Sequence, residues 1–167
     1  MREMVQVVDQ IAPHVQRLEQ RHCVMQTTTT CPFCSYAAGR LAKDLVVYAD
    51  DDVLVVPSKG QKRANRGHCI VATRAHIRNI YELPDSLAGA VLRAVSVAAR
   101  ASKKAFSADG VSVRQNNDAA SGQDVFHIHF HVVPRFAGDD FESARYETVE
   151  ERIRIEQAEA LRRVWVP

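Results

Sequence analysis

Residues 125–135 read VFHIHFHVVPR, and their strict alternation leaves little choice of local structure. His127, His129 and His131 recur at a two-residue spacing, with Phe126, Ile128, Phe130 and Val132 around them, which is the pattern of a half-buried β-strand. All three imidazoles leave one face of such a strand, with successive rings roughly 6.5 to 7 Å apart along it. Aromatic and β-branched residues anchor the opposite face, so the rings are held on a rigid element and not on a loop. One histidine in this setting is an ordinary core residue; three in register support metal ligation, or nucleophilic and acid/base work on an anion.

The 167 residues suffice for one domain with a proper core, and an apolar fraction of 46% is ordinary for a soluble globular protein. With 22 basic against 20 acidic residues, the net charge of +2 makes no general case for nucleic-acid or membrane binding. Any phosphate recognition is therefore local to a site. Residues 4–11 are interrupted by Gln6, Asp9 and Gln10, so no secretory apolar stretch is present there, and no window approaches a membrane span; the expected location is cytoplasmic. Cys23, Cys31, Cys34 and Cys69 are too few and too unevenly placed for a disulfide scaffold.

Along the chain, Val5, Val8, Ala12, Val15 and Leu18 fall at helical spacing around Pro13, which predicts a kinked helical extension, and threonines 27–30 read as a linker. This divides the chain into an extension over residues 1–30 and one domain over 31–167. Cys31 and Cys34 in CPFC form a knuckle-like turn that can aim two thiolates at one tetrahedral ion, although an isolated CxxC is equally a redox or structural pair. Residues 45–48 and 53–57 read as short strands in a hairpin. Residues 58–66, with Lys59, Lys62, Arg63 and Arg66, read as a solvated polar loop within reach of a phosphate. GHCIVATR at 67–74 is a strand carrying His68, with His76 just beyond it. Residues 85–106 form a long helix with Leu87, Val91, Val95, Ala98 and Ala101 on one stripe, and residues 110–114 a further strand. Asn116 to Gln123 is a polar turn, and Thr148 with Glu151 suggests a capping box for a last helix closing on Arg162 and Arg163.

Taken together, CPFC, GHCIVATRAHI, NNDAASGQ and HIHFHVVPR resemble, in order and in spacing, the histidine triad (HIT) superfamily of nucleotide hydrolases and transferases, over about residues 31–141 and most closely its Hint and Fhit branches. The resemblance implies an α+β fold: an antiparallel sheet of about five strands with one long helix across it, flanked here by N- and C-terminal helices. It implies a homodimer with a continuous sheet, and a nucleotide substrate, with no nucleic acid or membrane as partner.

By the same resemblance, His129 is the nucleophile that attacks a nucleoside α-phosphate, in a phosphoramidate or dinucleoside polyphosphate, and forms a covalent nucleotidyl-histidine. His131 contacts the phosphate in the transition state, and no catalytic cofactor is needed. Cys31, Cys34, His76 and His127 correspond to the structural zinc ligands of zinc-containing members. Asn116, Gln123 and His68 fall among the substrate-binding positions. Two positions depart from the family pattern: Asp124 stands where Ser or Thr is usual, and Ser58 where the ribose-binding aspartate is expected. An ionised carboxylate repels a phosphate, so Asp124 points away, is protonated, or serves a leaving group that needs an acid. Three alternatives stay open: a nucleotide-binding partner protein with little turnover, a specialised nucleotidyl transferase, and a catalytic metal held by the three histidines.

Overall fold

The structure, a computed structural model, describes residues 31–167. The predicted helix around Pro13 and the linker at 27–30 lie outside these residues. Two sheets and three helices of more than one turn make up the described fold. Helix α1 (Pro32–Ala37) is followed by a 3₁₀ turn (Lys43–Leu45), then strands β1 (Tyr48–Ala49), β2 (Val53–Pro57), β3 (Gly60–Lys62) and β4 (Cys69–Thr73). The long helix α2 (Asp85–Ala105) leads to β5 (Gly110–Arg114), β6 (His129–Arg135), β7 (Tyr146–Thr148) and α3 (Glu151–Val164).

The main sheet has the order β1-β2-β4-β6-β5 and every pairing in it is antiparallel. Period-two alternation sorts its residues onto two faces. Val53, Val55, Cys69, Val71, Phe130 and Val132 pack with the Val91, Val95, Ala98 and Ala101 stripe of α2 and with Ala158 and Leu161 of α3. Leu54, Val56, Ile70 and Ala72 face the other way and pack on Cys31, Phe33 and Cys34 of the α1 region. The register places His129 opposite Ala72 and His131 opposite Ile70, so both rings stand on this second face. The α+β architecture, the five strands, the long helix and the C-terminal helix are those expected from the sequence.

Four local readings are corrected. CPFC is the start of a helix and not an isolated turn: Cys31 is its N-cap and Pro32 occupies the first position, where a missing N–H costs nothing. Residues 43–45 form a 3₁₀ turn, which puts Leu45 in the core and is closed by the Val46 N–H on the Lys43 carbonyl, so β1 is only two residues long. Residues 58–66 are not a solvated loop; β3 pairs with β7 in a small second sheet, and Gln61, Lys62 and Asn65 are buried. The Lys62 ammonium stacks 4.1 Å from the Phe141 ring centroid and donates to the Phe141 carbonyl. Finally, no capping box forms: Thr148 is spent in β7 and the N-cap of α3 is Glu150, with no side-chain cap. No helix among the described residues is long and apolar enough to cross a membrane.

Candidate active site and metal centre

Helix α1 delivers two thiols to one point. Cys31 at the N-cap and Cys34 one turn on face the same side, and Phe33 between them packs its ring 5.0 Å from that of His129 and 5.4 Å from that of His127. The Nδ1 of His127 lies 3.5 Å from the Cys31 sulfur and 3.6 Å from the Cys34 sulfur, and the Nδ1 of His76 lies 3.2 Å from the Cys34 sulfur. The candidate ligand atoms of these four residues all lie within 4.8 Å of one another. Zinc bonds of about 2.0 to 2.3 Å in a tetrahedron separate neighbouring ligands by about 3.3 to 3.8 Å, so the donor set fits that ion. The tautomer fits as well. The Nε2–H of His127 donates to the Thr73 carbonyl at 2.7 Å, which leaves the Nδ1 lone pair facing the thiols. Burial pushes the His127 imidazolium down to a pKa of about 4, so the neutral, ligating form prevails.

His127 does not belong to the strand proper. The sequence pattern extends the strand from residue 125, whereas β6 begins at His129 and residues 125–127 form a bend. The bend turns His127 into the thiol cluster, while His129 and His131 stay in sheet register. His129 donates its Nδ1 proton to the His127 carbonyl at 2.7 Å, which makes Nε2 the atom with the free lone pair. The next link is fixed by a carbonyl too. The Nδ1–H of His68 donates to the Gly60 carbonyl at 3.1 Å, so His68 Nε2 accepts the Nδ1–H of His131 at 3.0 Å. Burial first, and neighbouring His131 second, push His68 down to about 3; burial and His129 push His131 down to about 4 against the opposing pull of Asp124.

The His129 and His131 rings line a cleft of about 510 Å³ whose floor is apolar, formed by Phe33, Val56 and Ile70 among others. Of the candidate residues, His129, His131, Asp124 and Ser58 line it, and His68 stands behind His131. The Ser58 hydroxyl is turned onto the Gly60 carbonyl at 2.8 Å. Asn116 and Gln123 are not in the lining. The Gln123 amide is committed to the loop itself, donating to the carbonyls of Arg78 and Val125 and accepting from the Asp118 N–H. Asn116 reaches the Gly122 carbonyl at 3.4 Å. Arg154, on α3, lines the cleft and was not singled out from the sequence. Its signal was there: the buried stripe of α3 is Arg154, Gln157, Ala158 and Leu161, a helical period that begins on a cation.

Residues 40–138 match the sequence model of the family described as the HIT domain. The chain belongs to the HIT domain family. Protein hit of Bacillus subtilis (strain 168) is 37% identical to it over 118 residues, covering 70% of this chain and 79% of the relative. The adenosine 5′-monophosphoramidase hnt1 of Schizosaccharomyces pombe is 28% identical over 111 residues, 64% of this chain and 74% of that one. Among solved structures, a zinc-bound histidine triad family protein from Mycobacterium smegmatis superposes with a TM-score of 0.69 at 28% identity, covering 81% of this chain and 93% of that one.

Proposed function

We propose that this chain is a HIT nucleotide hydrolase that cleaves a nucleoside phosphoramidate or dinucleoside polyphosphate at the α-phosphorus. The observation that carries the reading is the His129 ring, locked by its Nδ1–H onto a backbone carbonyl and set in the wall of an apolar-floored cleft. The Nε2 lone pair forms the bond to phosphorus as the bond to the leaving group breaks; the leaving nitrogen or oxygen keeps the electron pair, and a leaving nitrogen takes a proton from solvent to depart as the neutral amine. Nδ1 keeps its proton, so the ring in the adduct is an imidazolium; when water attacks the same phosphorus and gives up a proton to solvent, the P–Nε2 bond breaks and the neutral imidazole leaves with the electron pair. Free His129 and the nucleoside monophosphate are the products. His131 stands at the adjoining cleft-facing position on the strand with its Nδ1–H held by His68; its Nε2 takes up a proton as the anionic phosphate binds and then donates to a phosphate oxygen. The relative named as a monophosphoramidase supports a phosphorus–nitrogen substrate.

Zinc bound by Cys31, Cys34, His76 and His127 would tie α1 to the segment preceding β6, and the zinc-bound mycobacterial relative supports that assignment. The homodimer expected for the family is supported by the position of β5 at the sheet edge, where Val113 is 47% exposed. A competing reading, a nucleotide-binding protein with little turnover, rests on the Asp124 carboxylate in the cleft wall. Rapid-quench intact-mass measurement on wild type and His129→Ala separates the two. A transient adduct of one nucleoside monophosphate in wild type only supports the hydrolase, and tight binding without adduct or product favours the competitor.

A further inference from the structure

Helix α3 lies beyond the residues matched by the family model, yet it supplies two charged side chains to the cleft wall, Glu151 and Arg154. The strand β1 is so short that β2 has an outward carbonyl, Pro57, with no strand beside it. Arg154 fills that gap. Its Nε and Nη2 donate to the Pro57 carbonyl at 3.3 and 3.0 Å, and Nη2 also donates to the Tyr36 hydroxyl at 3.0 Å. A guanidinium is planar, so fixing Nε and Nη2 also fixes the direction of Nη1. Arg154 is only 8% exposed, and among the described residues its Nη1 protons have no partner and no carboxylate pairs with it. Nη1 is not one of the fully buried polar atoms, so its protons meet solvent at the cleft wall, where an acceptor on a ligand can take the place of water.

The place of that acceptor follows from the sheet. Val56, Ile70 and His131 stand side by side on β2, β4 and β6, all three in the cleft, so the floor crosses two interstrand steps of about 4.8 Å each. Pro57 adjoins Val56, which puts the Arg154 anchor at the end of the cleft away from His131. This is about the span from the phosphorus of a nucleoside monophosphate to the far edge of its base. Glu151 precedes Arg154 by three residues, so both side chains leave one face of α3.

We propose that Glu151 and Arg154 read the base and that the substrate is a guanine nucleotide, an inference that rests on taking the cleft as the nucleotide site. Guanine offers O6 and N7 as acceptors and N1–H and N2–H₂ as donors. The Arg154 Nη1 protons serve O6, and the Glu151 carboxylate accepts from N1–H and N2–H₂. Adenine reverses both contacts, setting its N6–H₂ against the guanidinium and its N1 lone pair against the carboxylate. A dianionic phosphate on the sugar would satisfy Arg154 but would be repelled by Glu151.

The test compares kcat/KM for guanosine and adenosine 5′-phosphoramidates of one amine, using the full chain and its Glu151→Ala and Arg154→Gln variants. The expected result is a guanosine preference of about tenfold or more in wild type, reduced at least about fivefold by Glu151→Ala. Glu151 is exposed, so its variant tests the reading even where Arg154→Gln loosens α3. Equal turnover of the two compounds in wild type, or a ratio unchanged by Glu151→Ala, overturns the inference and leaves the hydrolase reading intact. Preference for an adenosine compound with a second phosphate on its ribose, enhanced by Glu151→Ala, overturns it in favour of a sugar-phosphate site. If neither these compounds nor the corresponding dinucleoside polyphosphates turn over, the hydrolase reading fails. The ratio of dissociation constants for GMP and AMP then decides: tighter GMP binding that is lost in Glu151→Ala supports base reading, and equal binding overturns it.

Discussion

The backbone carbonyl of His127 accepts the Nδ1 proton of His129 at 2.7 Å, so the residue that faces the two cysteines also sets the tautomer of the ring two positions on. Orientation of the proposed nucleophile therefore depends on a main-chain group. His129→Ala is expected to lower kcat/KM by at least about a thousandfold. Nucleotide affinity should stay within about tenfold of wild type, because the apolar floor and the far wall of the cleft are untouched. Steady-state kinetics and equilibrium binding on the same preparation check both. Turnover within tenfold of wild type would remove His129 from the chemistry.

The donor set around His127 is expected to bind one zinc ion per chain, which elemental analysis measures. Zinc sites of this type contribute about 10 to 16 kcal/mol in small domains, so a strong chelator is expected to lower the Tm by at least about 10 °C. Cys31→Ser should lose most of the metal. Retention of full metal content in Cys31→Ser would instead place the ion on the three histidines of residues 127–131.

Much of this was legible in the chain because period-two and period-3.6 patterns are read directly from side-chain chemistry. The Val91, Val95, Ala98 and Ala101 stripe and the Cys69–Thr73 strand are of that kind. The candidate metal-ligand cluster was legible only through resemblance, since residues 31 and 127 are 96 positions apart and no local pattern joins them. Lys62 and Arg154 escaped for a different reason. Charged residues signal solvent in a sequence, and only the fold reveals that Phe141 covers one and that Pro57 holds the other. The bend at residues 125–127 was hidden by an alternation that continues unbroken through it.

Gly67 occupies φ +97°, and a Cβ added there would sit inside the van der Waals envelope of the Phe106 ring. Gly67→Ala therefore combines backbone strain with a clash at the end of α2, and is expected to cost about 2 to 4 kcal/mol. Removing the ring in Phe106→Ala should relieve only part of this in a double-mutant cycle, since the left-handed backbone remains. Denaturant melts of the four proteins measure the coupling. A Gly67→Ala chain as stable as wild type would show that the loop before β4 yields freely.

His68 and His131 share one hydrogen bond and both titrate well below the ordinary imidazole value of 6.5, at about 3 and about 4. As the pH falls below 6.5 the unfolded chain takes up protons that the folded chain refuses. The stability tied to this pair is thus whole above pH 6.5 and is lost progressively down through about 4 and then about 3. The two steps belong to the pair and not to either ring alone. His129 and Arg114 disfavour the charge on His131 and Asp124 favours it, and the balance falls to burial. Between pH 6.5 and 5 the expected loss is at most about 2 kcal/mol from each ring. His68→Gln keeps an acceptor for His131 but removes one titrating group, and should flatten the slope of stability against pH across that window. Urea melts at pH 7.5, 6 and 5 on both proteins make the comparison. Parallel curves would mean that the proton uptake comes from elsewhere in the chain.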